Sequence, residues 1–166
     1  MFKRLFETLR QAVGSVSPEV IERKKRADRW LAALPVDEAR VRAMAIIGNA
    51  EWFTVTPGPP PRPLPEWLPS SLRDLLIRFY KIQGRFSDFV IDAMSFHESP
   101  TESPLLQIGW FDEHVELCTS PVDGRVYLLA DDVPGDESRE GSYSTIYHAI
   151  LGVAASLGYV DPEPAA

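Results

Sequence analysis

Apolar residues recur at helical spacing in the first part of the chain and at strand spacing over residues 105–132, the stretch that organises the rest. Phe2, Leu5, Phe6, Leu9 and Val13 predict an amphipathic helix that Gly14 stops. Ser17-Pro18-Glu19 then reads as an N-cap, a proline at the first helical position and an acid in the first turn. The helix it opens carries an apolar stripe of Ile21, Ala27, Trp30, Leu31 and Leu34, beside a charged, solvated face over Glu22-Arg23-Lys24-Lys25-Arg26. A third helix is expected from Asp37 to Gly48 or Asn49. Seven prolines then occupy the thirteen positions 57–69, which predicts extended or polyproline II backbone. Leu64, Trp67 and Leu68 suit packing, which favours a stiff spacer over a ligand for an aromatic groove.

Ser70-Ser71 is expected to cap a core helix bearing Leu72, Leu75, Leu76, Phe79 and Tyr80 and ending at Gly84. Residues 86–92 read as a strand, and residues 97–104 as a polar loop. Residues 105–132 predict a three-strand antiparallel meander. Its first turn sits at Asp112-Glu113, and its second at Pro121-Val122-Asp123-Gly124, where glycine takes positive φ freely. On the middle strand Val115 and Leu117 share one face and Glu116 points to the other. An acidic loop over 131–140 leads to a closing helix with Ile146, Tyr147, Ile150, Leu151, Ala154 and Leu157, stopped at Gly158. The expectation is an α+β fold with an antiparallel sheet of about four strands packed by helices. It divides into a helical N-terminal region (1–56), a proline-rich linker (57–69), an α+β core (70–160) and a disordered tail (161–166). Val115, Leu117, Val126, Leu128, Leu72, Leu76, Phe79, Ile146 and Ile150 form the expected core.

Length and composition fit one core: 166 residues, 45% of them hydrophobic, bury roughly 70% of the unfolded surface on folding. Cys118 is the only cysteine, which excludes an intramolecular disulfide. With no secretory h-region and no apolar run of about 18 residues, the cytoplasm is the default compartment. The N-terminal helix suits packing on the body or attachment to a membrane surface; its few charges and short length favour packing, so a membrane is not an expected partner.

Charge changes the picture more than its net value of -7 suggests. Residues 105–166 hold 11 Asp/Glu against only Arg125 and Arg139, whereas residues 1–50 hold 10 Lys/Arg against 6 Asp/Glu. Such an acidic field repels nucleic acid and steers a basic protein toward it. Asp112, Glu113 and Glu116 flank the first meander turn, Asp131, Asp132, Asp136 and Glu137 line the loop after the third strand, and an up-and-down meander puts the two sets at one end of the sheet. These seven are the candidate partner-binding residues; solubility alone is the competing explanation of the charge.

No catalytic, cofactor or metal site emerges. His97, His114 and His148 show no HExxH or CxxC-like spacing, and an apolar strand cysteine is usually a small buried hydrophobe. Adjacent carboxylates such as Asp112/Glu113 and Asp131/Asp132 point apart, and Trp110, Phe111 and Tyr127 suit a core better than a base-stacking platform in acidic surroundings.

The order of features resembles the SUKH superfamily, which includes bacterial immunity proteins against polymorphic toxins and a yeast regulator of cell-wall synthesis. Leu68-Pro69 resembles the family's "LP" entry, residues 70–84 its core helix and terminal glycine, Ile108-Gly109 its mid-sheet "IG", Gly124-Arg125-Val126-Tyr127 its "G-x-V-Y" strand, and residues 144–157 its closing helix. Gln83-Gly84 stands where the family usually has two glycines, and the N-terminal third has no counterpart. The resemblance implies a curved sheet, no enzymatic activity and a binding cleft of varied specificity; with the acidic field, the expectation is a protein that neutralises a basic toxin domain, a nuclease for example, by direct binding. A structural or signalling adaptor using the sheet cleft or proline run, and a small enzyme of unknown reaction, are the alternatives.

Overall fold

The computed structural model describes residues 18–131 and 139–162. The expected helix over residues 2–13 lies outside them, as do residues 163–166 of the tail. Helix α1 (Pro18–Ala33) and helix α2 (Val36–Ile47) are where the apolar periodicity put them. Trp30, Leu31 and Leu34 are buried, but Ile21 at the start of the stripe stays exposed. After Gly48 closes α2, an element follows that the hydrophobic pattern had concealed: strand β1 (Phe53–Pro57), paired antiparallel with β2 (Phe79–Gly84).

Strand β2 corrects the expected core helix. Helix α3 (Ser70–Arg78) buries Leu72, Leu75 and Leu76 but stops at Arg78, with Pro69 rather than a serine at its cap position. Phe79-Tyr80-Lys81-Ile82 continues as strand because the aromatic and β-branched residues suit a pleated surface, and because pairing with β1 on one side and β3 (Val90–Asp92) on the other satisfies its backbone. Tertiary pairing thus overrides a helical spacing that would have run to Gly84. The expected strand over 86–92 shrinks to β3, leaving Phe86 79% exposed.

The meander forms as expected, from β5 (Leu106–Asp112), β6 (Val115–Thr119) and β7 (Val126–Ala130). Short β4 (His97–Glu98) pairs with the start of β5, and β8 (Arg139–Tyr143), expected as loop, pairs with β7. The sheet therefore has eight strands rather than about four, ordered β1-β2-β3-β5-β6-β7-β8 with β4 beside β5, and every named pairing is antiparallel. Two glycines are required by geometry. Gly124 has φ 69° in the turn between β6 and β7, where Asp123 Oδ1 accepts from the Arg125 amide at 2.9 Å. At Gly109 a Cβ would lie 1.9 Å from the Val90 carbonyl oxygen, so only glycine lets β3 and β5 approach this closely.

One main core lies between the helices and one face of the sheet. It joins Trp30, Leu34, Ala43 and Phe53 to Leu72, Ile82, Leu117, Leu128 and Ile150, so residues on both sides of the proline run share it. All the expected core residues are in it except Phe79, which is partly buried against it. The central helix is not α3 but α4 (Ile146–Ser156), which is buried from Ile146 to Ala155 and packs against α1, α2 and α3. Of the three apolar residues expected to pack in the proline run, Leu68 is buried and Leu64 rests against the core, while Trp67 is 42% exposed. Past α4, Tyr159 stacks on Trp52 at 4.6 Å, Asp161 pairs with Arg23 at 3.5 Å and Pro162 is buried, so the chain stays on the body to residue 162 instead of loosening at 161.

Candidate functional site

The expected acidic set divides in three. Asp112, Glu113 and Asp131 come together at one end of the sheet. Asp112 Oδ1 accepts from the His114 amide at 2.8 Å, the Asp131 amide donates to the His114 carbonyl at 3.0 Å, and Asp131 Oδ1 lies 3.5 Å from His114 Nδ1. Glu113, His114 and Asp131 are exposed and Asp112 is half-buried, so three carboxylates and one imidazole face solvent across the β5–β6 and β7 ends. Asp132, Asp136 and Glu137 lie outside the described residues. Glu116 does not belong to this surface: it is 4% exposed.

Glu116 is buried because both faces of β6 are covered. Its neighbours Val115 and Leu117 enter the main core, and Glu116 and Cys118 point to the opposite face, the alternation expected of a strand. That face carries a second, small cluster of Leu105, Cys118, Tyr127 and Leu129. Residues 99–105 lie over it, and Glu116 holds them there. Ser99 Oγ donates to Glu116 Oε1 at 2.8 Å, Thr101 Oγ1 donates to Oε2, and Ser99 Oγ in turn accepts from the Thr101 and Glu102 amides, each at 3.1 Å. At the rim Arg139 pairs with Glu102 and lies 4.5 Å above the Tyr127 ring. The acidic pattern of the sequence hid this anchor, because a carboxylate that accepts from buried hydroxyls looks like any other charge in a turn-rich segment.

The thiol and imidazoles do not assemble a catalytic group. Burial first, and the Glu116 charge second, push the Cys118 thiol far above its ordinary range, so it stays protonated and poorly nucleophilic. His148 sits across the sheet from it, on α4. Its Nε2 is 2.9 Å from the Leu34 carbonyl, which can only accept, so Nε2 carries hydrogen and donates; Nδ1 meets Thr145 Oγ1 at 2.7 Å and Ser144 Oγ at 3.2 Å. This is a satisfied core histidine that ties α4 to the α1–α2 junction. His97 is exposed, with Nδ1 2.8 Å from the Ser95 carbonyl. Among the described residues no group of three or more His, Cys, Asp and Glu is placed to hold a metal ion, and no helix is long and apolar enough to cross a membrane.

At the opposite end of β7 lies a cavity of about 450 Å³ that the sequence did not suggest. It opens between α1 and the β7–β8 edge, and Lys24, Asp28, Arg125, Ser142, Ser144 and His148 supply its polar lining. Leu31, Ala32 and Tyr143 supply the apolar part. Lys24 Nζ binds Asp28 at 2.8 Å, and Arg125 Nε donates to Ser142 Oγ at 2.9 Å. The one available signal was that Arg125 is one of only two basic residues after position 104.

Comparison of the chain with protein-family models, with curated proteins and with solved structures finds no match in any of the three.

Proposed function

We propose that this chain is a non-catalytic, cytoplasmic binding protein of the kind the SUKH resemblance implies, which neutralises a basic toxin domain by direct contact. The observation that carries the reading is the gathering of Asp112, Glu113 and Asp131 at one end of the sheet; Asp132, Asp136 and Glu137 follow in the sequence. A nuclease toxin presents a basic cleft to phosphates, and a carboxylate-rich end that plugs such a cleft gains in encounter rate and orientation. A buried, protonated Cys118 and a His148 with both ring nitrogens engaged supply no nucleophile–base pair, which favours binding over an enzyme built on those residues. The adaptor reading has one observation in its favour: Pro59, Pro61, Arg62 and Pro63 are exposed, as a polyproline ligand must be.

Co-expression tests the proposal. A candidate toxin domain, sought among the genes beside this one, is produced with the intact protein, and with a variant carrying Asp112→Asn, Glu113→Gln and Asp131→Asn. Growth rescued by the intact protein and lost or weakened with the variant supports neutralisation through this end. Rescue by neither, together with failure of the two purified proteins to form a complex, refutes it.

A further inference from the structure

We propose that the cavity between α1 and the β7–β8 edge is a binding site for a small organic anion with a carboxylate or phosphate head and a compact apolar body. Its volume of about 450 Å³ falls in the range of small-ligand sites. Among the described residues that line it, Lys24 is paired with Asp28, and Arg125 is a second cation. Arg125 is fixed at one edge: its Nε donates to Ser142, and its backbone amide donates to Asp123. Its terminal guanidinium nitrogens have no ion-pair partner among the described residues, which leaves a planar pair of donors for an anionic head. The nearby Asp123 carboxylate lies within the field of the Arg125 charge but accepts from the Arg125 amide and from Tyr127 Oη at 2.5 Å rather than pairing with the guanidinium.

Hydroxyls complete the polar side. Ser142 and Ser144 alternate with Tyr143 along the edge; Ser142 Oγ accepts from Arg125 and Ser144 Oγ meets His148 Nδ1, while the Tyr143 ring turns in against Gly152. Leu31 and Ala32 on α1 give the body of the ligand an apolar wall. A metal cation or a polyamine finds too few oxygens here, and a bare inorganic anion would leave the apolar wall unused. The site also stands apart from the acidic end. The five residues of β7 separate Arg125 from Asp131, six steps that span about 20 Å, so occupancy of the cavity and binding of a basic partner are separate events.

The test is a titration of the full chain, followed in ¹H–¹⁵N spectra, with benzoate, with phenyl phosphate and with benzylamine as the cationic control. The expected result is saturable shifts of the Arg125, Ser142 and Ser144 amides with either anion and none with benzylamine; the tighter anion identifies the head group. Arg125→Gln should weaken binding by about tenfold or more, the effect of losing one charge-assisted contact. Ala32→Trp, at an exposed position of the wall, should block the cavity without removing any polar contact, so its loss of binding is read on a folded chain. Shifts that do not saturate, equal shifts with benzylamine, or unchanged affinity in a folded Ala32→Trp variant would overturn the proposal.

Discussion

Replacing Glu116 tests how the second face of the sheet is held. In Glu116→Ala the Ser99 and Thr101 hydroxyls lose their acceptor. Ser99 is buried at 4% exposure and cannot turn to water, whereas Thr101 is half-buried and can do so in part. A hydrogen bond to a charged group contributes about 1.5 to 3 kcal/mol, and a buried hydroxyl left unpaired costs about 1 to 3 kcal/mol. Against this stands the desolvation of a carboxylate whose neighbours are Cys118 and Ser99, a cost that replacement by an apolar side chain removes. Because two donors converge on one carboxylate, the hydrogen bonds should win, and the net loss should be about 2 to 4 kcal/mol. Glu116→Gln keeps one acceptor oxygen and should lose about 1 kcal/mol. Urea unfolding at neutral pH measures both. A double-mutant cycle with Ser99→Ala should return a coupling of about 1 kcal/mol or more. Hydrogen exchange adds a local reading: the Thr101 and Glu102 amides, bonded to Ser99 Oγ, should lose protection in Glu116→Ala while α4 keeps its own. A Glu116→Ala protein within about 0.5 kcal/mol of the parent would show that desolvation cancels the bonds and that residues 99–105 are held by apolar packing alone.

Other outcomes follow from single sites. Leu76 is fully buried, so Leu76→Ala should lower stability by about 2 to 5 kcal/mol, read from the urea midpoint; a loss below about 0.5 kcal/mol would remove α3 from the core. Gly109→Ala drives a Cβ into the Val90 carbonyl and should disrupt β3–β5 pairing, seen as lost exchange protection at Val90 and Ile91; an unchanged pattern would mean that the close approach is easily relieved. Cys118 should resist iodoacetamide in the folded protein at mildly alkaline pH and react once urea unfolds it, because burial holds the thiol protonated; rapid native labelling would contradict that placement.

The hydrophobic pattern located α1, α2, the meander and α4, since each carries an uninterrupted run at its own period. It failed where a short segment depends on distant partners. β1 holds only Phe53 fully buried, β8 emerges from an acidic run, and β4 is two residues long, so none carries a periodic signal of its own. At Phe79 the local spacing favoured helix, and pairing with residues 53–57 and 90–92 decided otherwise. The grouping of Asp112, Glu113 and Asp131 at one end was legible because turn signals fixed which loops share a side of the sheet. The buried role of Glu116 was not, since it depends on residues 99–105 folding back across the sheet. The cavity was equally hidden: it joins Lys24 and Asp28 to Arg125 and Ser142, about a hundred positions away.

The central claim is that the end of the sheet bearing Asp112, Glu113 and Asp131 meets a basic partner, and the association rate with a basic toxin domain that the protein is found to bind tests it most directly. Stopped-flow association across a range of salt should show a fast rate that falls steeply as salt rises. In the Asp112→Asn, Glu113→Gln, Asp131→Asn variant the rate should drop and its salt dependence flatten, with a smaller effect on dissociation. Neutralising Asp132, Asp136 and Glu137 as well should extend the same trend. An association rate indifferent both to salt and to these substitutions would contradict the account and leave the acidic residues with a role in solubility alone.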